Sequence, residues 1–67
     1  MSDVRYPEVK VVLLGDDGNA ASIIGGVSRA LRRAQVSDEV IAQFRSEATA
    51  GDYDNVIQTA MRWVDVS

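Results

Sequence analysis

Few residues in this chain could do chemistry, and none is a histidine or a cysteine. That removes imidazole and thiolate catalysts, the zinc sites built from them, and any disulfide framework. The most suggestive stretch is VVLLGDDGNAASIIGG, from Val11 to Gly26. An apolar run meets a glycine and then a helix start, the junction at which nucleotide-binding folds seat a phosphate. A dinucleotide fingerprint needs G-x-G-x-x-G, and a phosphate loop needs G-x-x-x-x-G-K-[ST]. The stretch has neither, and it sets Asp16 and Asp17 where the phosphate charge would lie. As cation ligands, Asp16, Asp17 and Asn19 offer oxygens, but adjacent aspartates break the alternating frame of a calcium loop. The stretch reads as a turn, with Asn19 as helix N-cap and the acids favourable beside the positive end of the helix dipole. No metal site and no cofactor is expected.

Arg29, Arg32 and Arg33 form a second candidate, in SRALRRA. Cations in the last turn of a helix are stabilising in themselves. Their functional reading is an anion or nucleic-acid patch. The following segment, SDEVIAQFRSEA, opens with two acids where a recognition helix would meet the major groove. With ten acidic and seven basic side chains and a net charge of −3, the chain also lacks the basic surface nucleic acid requires. Asp52 and Asp54 read as a helix cap and a first-turn acid rather than a catalytic pair. No nucleophile, base and orienter come together in the sequence, so the chain is not expected to be an enzyme.

The aromatic residues are Tyr6, Phe44, Tyr53 and Trp63. Phe44 falls on a core position. Trp63, beside Arg62, has two readings: a lid over a small core, or an interface anchor together with Arg62 and Tyr53.

The elements that must position these residues follow from periodicity. Residues 1–7 read as a flexible N-terminus and 8–66 as one compact domain. Glu8–Leu14 alternates as a strand, with Val9, Val11 and Leu13 on one face. Its far end, at Val12 and Leu14, is expected to be covered on both sides. A first helix, Ala20 to Ala34, carries its apolar stripe at Ala20, Ile23, Ile24, Val27, Ala30, Leu31 and Ala34. Gly25 and Gly26 inside it call for a close backbone contact or a kink. Gln35 and Val36 end that helix. Ser37 caps a second helix burying Val40, Ile41, Phe44 and Ala48, and Gly51 is its left-handed stop. Asp52 caps a third, with Tyr53, Val56, Ile57, Ala60, Met61 and Val64 as its stripe. The terminal WVDV either adds a strand beside the first or continues the third helix. The expectation is a small α+β fold, β-α-α-α-(β), with three helices packed on a minimal sheet.

A domain of 67 residues buries only about 60% of its unfolded surface, so burial beyond the single chain would help it. The strand's open edge can pair with a copy of itself, as a homodimer, or with a partner's strand, although Glu8 and Lys10 moderate that tendency. The longest apolar run is too short to cross a membrane, and MSDVRYPE lacks a signal-peptide pattern, so a cytoplasmic protein is expected.

YPEVKVVLLGDDGNA, ALRRAQVS and EATAGDYDNVIQTAMRWVDV together resemble short uncharacterised proteins of bacteria and their phages or mobile elements. The shared pattern is YP-x-V, G-x-DGNA, an ALRRAGVS-like turn, GDYD and a terminal M-x-WV, spanning Tyr6 to Val66. The chain departs from it at Gln35, in the turn between helices. The resemblance implies no activity. It implies an accessory protein that binds a bacterial host protein, acting in the bacterial cytoplasm. The leading expectation is thus a small non-enzymatic protein-interaction module. The alternative is a nucleic-acid-associated regulator using Arg29, Arg32 and Arg33.

Overall fold

The computed structural model describes residues 4–12 and 20–66. The elements run β1 (Tyr6–Val11), α1 (Ala20–Arg33), α2 (Asp38–Ala48), α3 (Tyr53–Trp63) and β2 (Val64–Val66). The expected β-α-α-α-β order holds, and WVDV resolves into the end of α3 followed at once by β2. The two strands form a parallel sheet. Tyr6 stands opposite Val64, Lys10 opposite Asp65 and Val11 opposite Val66, with an irregularity between Tyr6 and Lys10 where β1 gains residues on β2. The turn at Gly15–Gly18, the Asn19 cap, Asp16 and Asp17, and Leu13 and Leu14 all lie outside the described residues.

The strand starts earlier than its sequence suggests. Tyr6 and Pro7, expected in the N-terminal stretch, belong to β1, and the Arg5 N–H donates to the Arg62 carbonyl at 2.9 Å. A proline at the start of a strand is tolerated because few ladder bonds need its missing N–H. Val12 was expected to be covered on both sides; it is instead 61% exposed.

One core joins all five elements: Val9 and Val11 from β1, Ile23, Val27 and Leu31 from α1, Ile41, Phe44 and Ala48 from α2, Val56, Ala60 and Trp63 from α3, and Val64 from β2. The α1 stripe follows its expected phase. The α3 stripe holds in part: Val56, Ala60 and Val64 are buried and Ile57 packs against the core, while Tyr53 and Met61 are 46% and 52% exposed and Thr59 and Trp63 are buried as well. The helix carries two overlapping apolar series, and the one that includes the large indole faces inward. Thr59 travels inward with it, and its Oγ1 accepts from Arg62 Nη2 at 3.3 Å.

Of the three expected N-caps, the two within the described residues form. Ser37 Oγ accepts from Val40 N at 3.4 Å, and Asp52 Oδ1 from Asn55 N at 3.1 Å. Of the expected helix ends, the one at Gln35 and Val36 forms and the left-handed stop at Gly51 does not. The left-handed residue is Gln35, at φ 65°, and no other non-glycine described residue has positive φ. Around it, Val36 N–H donates to Leu31 O at 3.0 Å and Gln35 N–H to Arg32 O at 2.9 Å. This is the Schellman arrangement, with Val36 folding back onto the core. Gly51 is not in the left-handed region. Its glycine is required by proximity, since a Cβ there would stand 2.9 Å from Asn55 Cβ. Gly25 and Gly26 have no close backbone neighbour: a Cβ on either would meet nothing within 4 Å.

Candidate functional site

The three arginines of α1 separate in space. Arg32 turns to Asp38 at the start of α2, with Nη2 3.7 Å from Oδ1 in an exposed ion pair. Arg29 and Arg33 are one helical turn apart, so their side chains leave the same side of α1. They line an open groove of about 260 Å³ between α1 and the end of β1, together with Lys10, Val11, Val12, Gly26 and Ala30. Among the described residues, no acidic residue lines it. The side chains of Lys10, Arg29 and Arg33 make no hydrogen bond or ion pair among the described residues. Lys10 could be found from the sequence only as an exposed strand residue. Its place beside the arginines depends on how α1 crosses β1, which residue spacing does not encode.

The aromatic anchor belongs elsewhere. Trp63 is 2% exposed, so it is core and not a surface anchor. Its ring meets Phe44 edge-on at 5.6 Å between centroids and lies against Tyr6 at 6.0 Å. The Arg5 guanidinium sits 4.3 Å from the indole centroid, within cation–π range. The indole Nε1 donates to Glu47 Oε1 at 3.0 Å. The reason is local: α3 ends at this residue, and the turn into β2 brings the ring beneath β1 and against α2.

Nor do Tyr53 and Arg62 join it in one patch. They lie nine residues apart on α3, which places them on opposite faces and about 13 Å apart along the axis. Tyr53 borders a second recess, mainly apolar, formed with Ala20, Ile24, Ala48, Gly51 and Val56. Arg62 is occupied with Thr59.

Asn55 has a role that sequence reading missed. Its Nδ2 donates to the carbonyls of Glu47 at 2.9 Å and Ala48 at 3.2 Å, closing the end of α2 from the neighbouring helix. Nothing in the local sequence announces this, because an asparagine in a first helical turn is ordinary.

The β1–α1 side therefore offers two functional surfaces: the cationic groove, and the sheet margin. Among the described residues the sheet has only its two strands, so each keeps an outer edge without a strand partner. On β1, Glu8 and Lys10 are exposed while Val9 and Val11 are buried, and Val12, just past its end, is exposed. No group of three or more acids among the described residues could hold a metal ion, and no described helix is long and apolar enough to cross a membrane. No family model, curated protein or solved structure matches the chain.

Proposed function

We propose that this chain is a small non-enzymatic protein-interaction module that recruits a partner strand to the outer edge of β1. The observation that carries this is the two-stranded sheet with its edges unpaired among the described residues. An exposed edge offers a row of backbone donors and acceptors, and strand addition uses them as its main source of affinity. The resemblance to proteins of bacteria and their phages or mobile elements is the reason to take a bacterial host protein as that partner.

The side-chain order on β1 also admits a second copy. If two β1 strands paired antiparallel about Val9, each Glu8 would face the other copy's Lys10. Opposite charges directly across a strand pair contribute about 0.2–1 kcal/mol each. Such a dimer is two-fold symmetric and self-complementary.

The test is light scattering over a range of concentrations, with charge reversal on the edge. If the edge serves self-pairing, wild type dimerises, Glu8→Lys and Lys10→Glu weaken the dimer, and the double reversal restores it. If it serves a host protein, wild type is monomeric and captures one protein from a bacterial lysate, and Lys10→Glu weakens that capture. A monomer whose capture is indifferent to both substitutions would overturn the reading.

A further inference from the structure

The groove between β1 and α1 holds an electrostatic arrangement that the fold does not need. Three cations from two elements, Lys10, Arg29 and Arg33, converge on it. Like charges gathered this way repel, and nearby acids normally relieve the repulsion. Here acids outnumber bases over the whole chain, yet none of the described acids lines the groove. The contrast with Arg32 is close at hand. One position from Arg33, it has Asp38 as its counter-ion. The floor is also open. Gly26 leaves the α1 backbone bare, with nothing within 4 Å of the place a Cβ would occupy.

We propose that this groove binds a small phosphate-class anion bearing two or more negative charges, such as pyrophosphate or a phosphate monoester. Two guanidinium groups one turn apart present planar forks that match phosphate oxygens, and the lysine adds a compact third charge. Gly26 gives the anion room to approach the helix. A nucleic-acid backbone carries the same group, but it extends its charge far beyond one groove, across a protein whose net charge is −3. The free anion is therefore the ligand the charge distribution favours. The site shares Lys10 with the β1 edge but does not depend on the strand-pairing reading, and its test varies arginines of α1 only.

The experiment is an NMR amide titration of the full chain with sodium pyrophosphate, against sodium chloride at matched ionic strength. The expected result is saturable shifts at Lys10, Gly26, Arg29, Ala30 and Arg33. Replacing Arg29 and Arg33 together by glutamine should weaken binding at least about tenfold, the loss of two charge-assisted contacts. Arg32→Gln should leave it unchanged, and circular dichroism would check that each variant keeps its helices. Shifts that rise linearly without saturating, or an Arg29→Gln/Arg33→Gln protein that titrates like wild type, would overturn the proposal. A parallel titration with a single-stranded oligonucleotide separates the sources. Binding more than about tenfold tighter than pyrophosphate at the same salt would overturn the free-anion assignment and leave the groove to nucleic acid.

Discussion

Around Trp63, polar groups and ring faces have been given partners. The indole N–H donates to Glu47, Arg5 lies over the ring, and Asn55 closes the end of α2. Around Gly26, on the other side of the molecule, the partners are missing. Lys10, Arg29 and Arg33 lack counter-ions among the described residues, Val12 is exposed, and the buried Ser28 Oγ has no hydrogen-bond partner there. The same short chain has thus concentrated its stabilising interactions in one region and left another incomplete. Proteins break the rules of local consistency mainly where they function, and offset the cost elsewhere. The difference makes the β1–α1 side the place to look for function and the α2–α3 corner the reason the fold tolerates it.

That contrast can be broken most sharply at Trp63. Trp63→Ala removes the indole from between Phe44 and Tyr6 and leaves a cavity, with an expected loss of about 3–5 kcal/mol. For a domain this small that approaches its total stability, so urea denaturation should show a chain largely unfolded in buffer. A native-like midpoint would mean that the corner does not anchor the fold. Asn55→Ala is the next largest. It deletes two donors to the last carbonyls of α2, and an expected loss of about 1–2 kcal/mol should appear as a lower urea midpoint with an unchanged slope.

At two backbone positions, the turn after α1 and the middle of α1, the signs reverse. Gln35 holds a left-handed φ that glycine adopts without steric cost, so Gln35→Gly should raise stability by about 0.5–1 kcal/mol. Gly25→Ala should raise it by a similar or smaller amount, at most about 1 kcal/mol, because its Cβ meets open space within a helix. Thermal melts of both variants would sharpen the comparison if each gains, and blur it if either loses.

Much of the architecture was legible. The order of elements, the Ser37 and Asp52 caps and the α1 stripe follow from spacing and from residue types with strong local preferences. The failures have physical causes. α3 has two overlapping apolar series, and only the packing of a tryptophan decides which turns inward. Gly51 invites a left-handed reading, whereas its real constraint is Asn55, four residues on in the first turn of α3. At the candidate site, Arg29 and Arg33 were visible as cations, but Arg32 could not be set apart from them without its Asp38 contact. Lys10 and Asn55 act across elements, and local sequence is silent about that. Trp63 carried two readings, a lid over the core or an interface anchor, and its burial decides for the first.

The parallel pairing of β1 with β2 has a consequence for how the chain comes to exist. A hairpin strand finds its neighbour a few residues later, but β1 must wait until α1, α2 and α3 have all been made before β2 emerges. Such long-range pairing forms slowly and late. During synthesis β1 is an orphan strand in the company of helices, open to any other extended segment nearby. The sheet is completed only by β2, a strand of three residues, so translation decides when this protein stops offering its first strand on both sides and begins offering it on one.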